Sequence, residues 1–460
     1  MNKIPKITFI GAGSTIFLKN IMGDILMREE LQNAHISLMD IDKNRLEEAH
    51  QITNKIITTL KIPATVSKHL SQEESLSGSD FVIVAFQIGG YKPCTVNDFA
   101  IPKQYGLEQT IGDTLGIGGI MRGLRTVPYL LKLCEDMTQL CPDAIMLQYV
   151  NPMAINCWAL EKLYPKIKVV GLCHSVPYTV NELAEDLNLD SHQIQFTCAG
   201  INHMAFFLKL EQILDNGKTK NLYPELLHKY QQGIIPKSNR HNPRCPNIIR
   251  YDIMQKLGYF VTESSEHFAE YVPWYIKKDR PDLIAKFKIP IDEYLVRCEE
   301  QITQWQEQSI ELEANNPLEL SPSHEYASDI IHSVWTGKPS VIYGNVPNYG
   351  LISNLPHQCV VEVPCLVDKN GIQPIRMGAI PIQLAALMRT NINVQELTVE
   401  SLVKRNRQYI YQAAIMDPHT SSILDLDQIW NMVDDLLTAH QDWLPQWTQS
   451  NSKDFSNISE

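Results

Sequence analysis

The sequence predicts an α/β protein, in which a parallel β-sheet with helices on both faces is followed by an α+β domain. Three observations support this fold class. Short apolar runs alternate with amphipathic helical patterns through the first third of the chain. The first run, Lys6–Ile10, ends in a glycine turn that opens a helix. After about residue 195 the pattern changes to longer strands with Asn-Gly turns, and then to long helices.

The elements of the first part follow one another in a regular order. The predicted strands are Lys6–Ile10, Ala34–Met39, Phe81–Phe86, Ala144–Val150 and Lys168–Gly171, and the clearest helices are Thr15–Arg28, Lys43–Leu60 and Thr126–Met137. Alternation of this kind predicts parallel pairing, because each helix returns the chain to the same end of the sheet. We therefore predict a Rossmann-type domain at residues 1–195.

The second part predicts a mixed or antiparallel sheet followed by helices. Met204–Leu214 is a predicted strand that ends in the turn at residues 215–217, Asp-Asn-Gly. Asn348–Asp368 is further strand, and Lys-Asn-Gly at residues 369–371 is a second hairpin turn. Long helices are predicted at Ile380–Arg389, Val399–Ile415 and Leu424–His440. These elements give an α+β domain at residues 196–448, and the polar tail at residues 449–460 is expected to be disordered.

Composition restricts the class of function. The chain has 40 basic and 52 acidic residues, a net charge of −12, so it lacks the basic surface that nucleic-acid binding needs. No apolar stretch reaches the roughly 18 residues that cross a bilayer, and Lys3 leads into a strand rather than a signal-peptide core. The ten cysteines stand singly, without a CxxC pair, as in a large intracellular protein. We expect a cytoplasmic enzyme that binds neither nucleic acid nor membranes.

The segment Ile10–Ser14, IGAGS, predicts a dinucleotide site. Its glycines allow a tight turn and a close phosphate approach, and the helix that follows offers free N–H groups to a pyrophosphate. The third glycine of the usual fingerprint is Ile16 here. Asp40 ends the next strand, where a carboxylate accepts hydrogen bonds from both ribose hydroxyls and repels a 2′-phosphate. The sequence therefore favours NAD over NADP, with the binding residues Gly11, Gly13, Ser14 and Asp40.

Cys173 and His203 are candidate ligands for a metal ion. Cys173 follows one strand of the parallel sheet and Asn151 follows another, so both should face the cofactor cleft. A thiolate and an imidazole suit a first-row divalent ion, and an oxygen-rich substrate would fill its remaining positions. The alternative for each residue is structural, as a buried thiol or a hydrogen-bonded histidine.

Seven short motifs, taken in chain order, carry a resemblance to a known family. They are Ile10–Ser14, Gln87–Tyr91, Glu108–Thr110, Asn151–Ala154, Cys173–Ser175, Gly200–His203 and Val361–Pro364. Together they resemble glycoside hydrolase family 4, most closely its branch of bacterial α-galactosidases, over almost the whole chain. The resemblance implies a tightly bound NAD⁺ that takes a hydride from sugar C3 and a Mn²⁺-type ion that polarises the resulting ketone. A base then removes the C2 proton, the glycosidic oxygen leaves, water adds, and the hydride returns.

The resemblance also assigns roles to residues. Cys173 and His203 match the metal ligands of the family, and Asn151 matches its sugar-contacting asparagine. The residue after the metal cysteine is an acidic aspartate in the phospho-α-glucosidase branch. Here it is His174, which can donate a proton near neutral pH. Members of the family assemble as dimers or tetramers, so we expect a homodimer or a homotetramer.

The base is less well defined by the resemblance. Phosphoglycosidase relatives use a tyrosine in the segment that corresponds to Glu263–Trp274, where Tyr271 and His267 are the candidates. A tyrosine needs a metal or another cation nearby to act as a base, because its ordinary pKa is about 10. The alternative is that Tyr271 only packs in the core. Arg280 is either a substrate-binding residue or a surface arginine, and Gly112–Arg125 is either a loop that closes over the substrate or a connection into a helix.

Three alternative functions stay open. The substrate could carry glucose or glucuronate in place of galactose. A simple NAD-dependent 2-hydroxy-acid dehydrogenase is possible, because lactate and malate dehydrogenases share this fold plan and an Asn-Pro pair, but it needs no cysteine–histidine metal site. A non-enzymatic NAD sensor is the third alternative, against which a metal site facing the nicotinamide argues.

Overall fold

The computed structural model describes residues 4–236, 244–313, 320–323 and 325–449. Within them, twelve strands form one sheet. The strands are β1 Lys6–Ile10, β2 His35–Met39, β3 Thr65–His69, β4 Phe81–Val84, β5 Ile145–Gln148, β6 Lys168–Leu172, β7 Ile194–Ile201, β8 Met204–Ile213, β9 Thr219–Asn221, β10 Ser340–Pro347, β11 Val360–Asp368 and β12 Gly371–Pro374.

Seventeen α-helices cover or extend the sheet within the described residues. They are α1 Thr15–Leu26, α2 Lys43–Leu60, α3 Gln72–Leu76, α4 Val96–Gln104, α5 Gly116–Leu140, α6 Met153–Leu163, α7 Ser175–Leu187, α8 Tyr223–Gln231, α9 Ile248–Leu257, α10 Ser265–Glu270, α11 Pro281–Phe287, α12 Glu293–Glu313, α13 Tyr326–Thr336, α14 Ile382–Lys404, α15 Gln408–Met416, α16 Pro418–Ser421 and α17 Leu426–Ala439. No helix in the described part of the chain is long and apolar enough to cross a membrane.

The first six strands form the predicted parallel sheet. Their order is β3-β2-β1-β4-β5-β6, and every pair in this series is parallel. All four residues of β4 and of β5 are buried, as expected for strands covered by helices on both faces. The predicted α/β class is confirmed, and the residues that follow these strands meet at one edge of the sheet.

The strands of the second part continue the same sheet. β10 pairs antiparallel with β6, through Asn345 opposite Gly171, and the order then runs β10-β11-β7-β8-β9. The predicted turn at residues 215–217 joins the antiparallel β8 and β9, and the turn before Gly371 joins β11 and β12. The boundary predicted between residues 195 and 196 falls inside β7, and this division of the chain stays a prediction.

Three predicted elements of the second part are wrong in extent, one of which is the helix predicted at Val399–Ile415, since residues 405–407 divide it between α14 and α15. Asn348–Asp368 is not one strand, because β11 begins only at Val360 and Asn348 closes a turn by donating to the carbonyls of Ile352 and Pro356 at 3.0 and 2.9 Å. The helix predicted to end at Arg389 continues through α14 to Lys404. Its polar interruption is Asn391, which is buried and donates to the Tyr271 carbonyl at 3.1 Å. Asn391 therefore interrupts the apolar pattern of the sequence without ending the helix.

The glycine-rich segment Gly112–Arg125 is mostly helix rather than a mobile loop. A Cβ on Gly118 would lie 2.0 Å from the Gly112 carbonyl oxygen, so the glycines of α5 allow the preceding backbone to pack directly on the helix. The prediction of a closing loop is wrong for residues 116–125, which are the first turns of α5. Of the predicted tail, residues 450–460 lie outside the described part of the chain.

Candidate active site

The predicted cofactor and metal residues lie at the carboxyl ends of the parallel strands. Gly11 follows β1 and Asp40 follows β2, on one side of the cleft. Cys173 follows β6 directly, and Asn151 lies three residues after β5. This is the edge at which ligands of open α/β sheets bind.

The glycine turn has the shape of a cradle for a dinucleotide. Gly11 has φ +87°, and a Cβ there would lie 2.1 Å from the Ala85 carbonyl oxygen, so no other residue fits. The Gly13 N–H donates to Asp40 Oδ2 at 2.7 Å, which places the carboxylate beside the turn. Ser14 is exposed at the N-terminus of α1, and its side chain makes no capping hydrogen bond there. The Ser14 side chain therefore does not cap the N-terminus of α1, which is the position that a pyrophosphate would take.

Cys173, His203 and Glu263 form a cluster that fits a divalent metal ion. Their ligand atoms all lie within 4.8 Å of one another. His203 Nε2 is 3.4 Å from Cys173 Sγ and 3.4 Å from Glu263 Oε2. Ligand atoms that share one ion at about 2.0–2.3 Å are roughly 3–3.6 Å apart, so these distances match a shared ion. The predicted pair is thus brought together, and Glu263 is an additional donor that was not predicted as a ligand.

Glu263 lies 60 positions after His203 in the chain, and strand pairing brings it to the cluster. His203 stands at the turn between β7 and β8 with φ +62°. Val261 pairs with Phe206 of β8, and the Thr262 N–H donates to the Ala205 carbonyl at 2.9 Å. The residue that follows this bridge is Glu263. In the sequence, Glu263 is only an acidic residue near Val261, and the hydrophobic periodicity of the chain does not reveal that Val261 forms a β-bridge.

A buried arginine fixes the backbone on which Glu263 stands. Arg250 is 1% exposed and donates to the carbonyls of Val261 and Thr262 at 3.0 and 3.1 Å. Its guanidinium also pairs with Glu182 of α7 at 2.7 Å. Since these contacts hold the bridge to α9 and α7, a buried ion-paired arginine fixes the backbone next to Glu263.

The electrostatics of the cluster suit a cation. Burial lowers the pKa of His203 to about 4, so its imidazole is neutral and has a lone pair for a metal. Burial raises the pKa of the Cys173 thiol well above its usual value, and the Glu263 charge adds to this. A bound divalent ion would offset the raised pKa of Cys173, because a metal-bound cysteine loses its proton, and it would favour the neutral form of His203 as well.

His174 pairs with a carboxylate at the mouth of the site. Its Nδ1 lies 3.4 Å from Glu325 Oε1, and the His174 side chain is 52% exposed whereas that of Glu325 is 8% exposed. Burial opposes protonation, but the hydrogen bond and charge of Glu325 together raise the pKa of His174 above its usual value. The imidazolium form is therefore stabilised, as a proton donor requires.

The two candidate bases both lie next to the metal cluster, with their ring centroids 6.3 Å apart. The Tyr271 hydroxyl is fully buried, 3.3 Å from His203 Nδ1, and burial raises its pKa well above the usual value. His267 Nδ1 lies 2.7 Å from Ser264 Oγ and 3.6 Å from Glu263 Oε1. Each candidate therefore adjoins one residue of the metal cluster. Arg280, in contrast, pairs with exposed Asp282 at 2.7 Å.

Asp113 organises the predicted sugar contact and was not predicted itself. Its Oδ2 accepts from Asn151 Nδ2 at 3.0 Å and pairs with Arg122 Nη1 at 3.1 Å. The other oxygen, Oδ1, accepts from the Thr114 hydroxyl at 2.7 Å. Because its nitrogen is engaged by Asp113, the Asn151 amide has its oxygen left to accept from a sugar hydroxyl. The only feature of the sequence that marks Asp113 is its position within the glycine-rich segment Gly112–Arg125.

Comparison of the sequence with models of known families identifies the family of this chain. The family 4 glycosyl hydrolase model matches residues 6–189, and the model of the family 4 glycosyl hydrolase C-terminal domain matches residues 198–420. The chain belongs to glycoside hydrolase family 4. The predicted family is confirmed, and the chain is a glycosidase, which decides against the dehydrogenase and the NAD-sensor alternatives.

Curated relatives of the family 4 chain include two α-galactosidases. The α-galactosidase of Bacillus subtilis (strain 168) is 45% identical over 444 residues, which cover 96% of this chain and 100% of the relative. That of Rhizobium meliloti (strain 1021) is 32% identical over 458 residues, covering 97% and 90%.

Solved structures agree on the fold. The lplD protein of Bacillus subtilis has a TM-score of 0.83 at 24% identity, covering 94% of this chain and 100% of that one. A 6-phospho-α-glucosidase from gut microorganisms, in complex with NAD and Mn²⁺, has a TM-score of 0.76 at 18% identity, covering 96% and 99%. A lactate dehydrogenase of Cryptosporidium parvum has a TM-score of 0.50 at 15% identity, covering 88% and 99%. The resemblance of the fold to that of lactate dehydrogenase is confirmed.

Proposed function

We propose that this family 4 glycosidase hydrolyses α-galactosides with the help of NAD⁺ and a Mn²⁺-type ion. The observation that carries the proposal is the donor cluster of Cys173, His203 and Glu263 at the same sheet edge as the glycine cradle. The two α-galactosidases among the relatives support the galactose specificity, and the structural neighbour in complex with NAD and Mn²⁺ supports the two cofactors.

The chain's own residues would hold the two cofactors side by side. The turn at Gly11 and Gly13 would accommodate the pyrophosphate, and Asp40 would accept from the ribose hydroxyls. Cys173, His203 and Glu263 would hold the ion. When bound, NAD⁺ supplies reversible oxidation at sugar C3, and the ion supplies Lewis-acid polarisation of the adjacent oxygens.

His174 is the proposed acid for departure of the glycosidic oxygen. Glu325 raises the pKa of its imidazole, which favours the protonated form, and the side chain is 52% exposed at the mouth of the site, where a leaving group could be reached. Asn151 would accept a hydrogen bond from a sugar hydroxyl through its free amide oxygen, while Asp113 holds its nitrogen at 3.0 Å. The sugar is thereby oriented between the ion and the proton donor.

The base that removes the C2 proton is Tyr271 or His267, and the structure suggests how to separate them. The Tyr271 hydroxyl faces the metal-ligand imidazole at 3.3 Å, so a bound cation would lower its raised pKa. His267 lies instead beside Ser264 and Glu263, with its Nδ1 2.7 Å from Ser264 Oγ and 3.6 Å from Glu263 Oε1. Tyr271→Phe and His267→Gln should be assayed for exchange of the C2 proton of the sugar with solvent. The base variant loses this exchange with Mn²⁺ and NAD⁺ bound, whereas the other variant keeps it.

The function is tested by assaying an aryl α-galactoside before and after removal of both cofactors. Dialysis against a chelator and stripping of NAD should each abolish hydrolysis, and adding back Mn²⁺ with NAD⁺ and a thiol reductant should restore it. The matching α-glucoside and α-glucuronide test the alternative substrates, and faster cleavage of either would replace galactose in the proposal. Full activity in the stripped protein would refute the cofactor dependence.

The assembly and the location of the protein stay predictions. A homodimer or homotetramer is expected from the family, and light scattering on the purified chain would decide between them. Cytoplasmic location was predicted from composition and can be checked by cell fractionation.

A further inference from the structure

Glu270 binds the backbone of a distant segment. This residue ends α10 and is 4% exposed. Its Oε2 accepts from the N–H groups of Thr110 and Ile111 at 2.8 and 3.2 Å, and its Oε1 accepts from the Gly112 N–H at 2.8 Å. Burial raises the pKa of this carboxyl to about 7, although the three N–H donors favour the ionised form. Three consecutive backbone amides thus converge on one buried carboxylate.

The segment held by Glu270 presents Asp113. Gly112 has φ +56°, and Asp113 follows it directly, before α5 begins. Asp113 is the residue that accepts from Asn151 and pairs with Arg122. A displacement of residues 110–112 would therefore move Asp113 and, with it, the sugar-contacting asparagine.

The residue after Glu270 contacts the metal cluster. Tyr271 places its hydroxyl 3.3 Å from His203 Nδ1, and its carbonyl accepts from Asn391 of α14 at 3.1 Å. The end of α10 therefore contacts the candidate metal ligand His203 through Tyr271, and it holds the segment of Asp113 through Glu270.

We propose that Glu270 is a positioning residue, which sets the distance between the sugar-contacting pair Asp113–Asn151 and the metal cluster. The inference rests on the proposed function, since it takes Asn151 as a sugar contact and the cluster as a metal site. Glu270 acts through the backbone of residues 110–112 and does not touch the substrate itself.

A second anchor makes the proposal testable without unfolding the protein. The Thr110 hydroxyl donates to the Glu266 carbonyl at 2.6 Å, independently of the Glu270 carboxylate. Loss of the carboxylate should therefore loosen residues 111–113 while Thr110 stays attached to α10. Glu266→Gln is a matched control, because Glu266 lies in the same helix, is 1% exposed and pairs with Arg297 rather than with the Asp113 segment.

Glu270→Gln replaces one acceptor oxygen with an NH₂ group that faces an amide N–H. We expect kcat/KM for an aryl α-galactoside to fall by about 10- to 100-fold, as for misplacement of a substrate-positioning group. The dissociation constants of NAD⁺ and Mn²⁺ should change less than about twofold, because their ligands are elsewhere. Glu270→Asp, which keeps the charge but is shorter, covers the case in which the glutamine variant does not fold. Equal losses in Glu270→Gln and Glu266→Gln would overturn the proposal.

The double variant tests whether Glu270 acts through Asp113. If it does, Asp113→Asn combined with Glu270→Gln is no slower than Asp113→Asn alone, within about twofold. Fully additive losses would show that Glu270 acts elsewhere and would overturn the proposal.

Amide hydrogen exchange of residues 110–113 separates this inference from the proposed function. The exchange should be faster in Glu270→Gln than in Glu266→Gln. Equal exchange rates would contradict the proposal that Glu270 holds residues 110–112. A wild-type protein that cleaves no α-galactoside would refute the proposed function and leave this exchange measurement valid.

Discussion

The close approach of two backbone segments at Gly11 gives a quantitative prediction. Gly11→Ala would place a Cβ 2.1 Å from the Ala85 carbonyl oxygen, at φ +87°. Gly106→Ala is a matched control, because Gly106 has φ +89° and nothing within 4 Å of its Cβ position. The two substitutions share the backbone strain and differ in the steric clash.

The expected magnitudes follow from these two contributions. The left-handed conformation costs an alanine about 1–2 kcal/mol, and the loss of unfolded-state entropy offsets about 0.4–1 kcal/mol of it. Gly106→Ala should therefore destabilise the fold by about 0–1.6 kcal/mol. Gly11→Ala should cost about 1–3 kcal/mol more, because the β4 backbone must move to relieve the overpacking.

Thermal unfolding and NAD titration together provide the assay. The melting temperature of Gly11→Ala should lie below that of Gly106→Ala, and only the Gly11 variant should lose NAD binding, since its turn no longer fits the pyrophosphate. Equal stability and equal NAD affinity in the two variants would refute the assignment of this turn as a cofactor cradle.

Three further substitutions test the remaining parts of the site. Cys173→Ser should weaken Mn²⁺ binding far more than NAD binding in calorimetric titrations, whereas equal losses would mark Cys173 as a folding residue. Asp40→Asn should weaken NAD binding by about 10- to 100-fold, the value of a charged hydrogen bond, and Asp42→Asn, which removes a charge but keeps an acceptor oxygen for the α2 cap, should not. His174→Asn should slow methyl α-galactoside much more than nitrophenyl α-galactoside, because a good leaving group needs little protonation; equal slowing would exclude His174 as the acid.

Much of the site could be predicted from the sequence because its signals are local. The glycine turn, Asp40 and Cys173 each follow an apolar run directly, and parallel strands bring such positions to one edge. His203 was predicted through its motif, and its Nε2 lies 3.4 Å from Cys173 Sγ, while its role as a metal ligand stays a prediction.

The residues that were missed depend on tertiary pairing. Glu263 reaches the cluster through the bridge between Val261 and Phe206, and Asp113 reaches Asn151 through the packing of glycines in α5. Neither contact leaves a periodic pattern in the chain. Tertiary pairing also explains why the continuation of the parallel sheet into the second part was not predicted. The pairing of β10 with β6 depends on Gly171, because a Cβ there would lie 2.9 Å from the Asn345 Cβ.

Hydrolysis in heavy water tests the central claim most directly. If the site removes the C2 proton after oxidation at C3, the galactose released from an α-galactoside in D₂O carries deuterium at C2, which proton NMR of the product detects. Galactose that retains only hydrogen at C2 during complete, cofactor-dependent turnover would contradict the account.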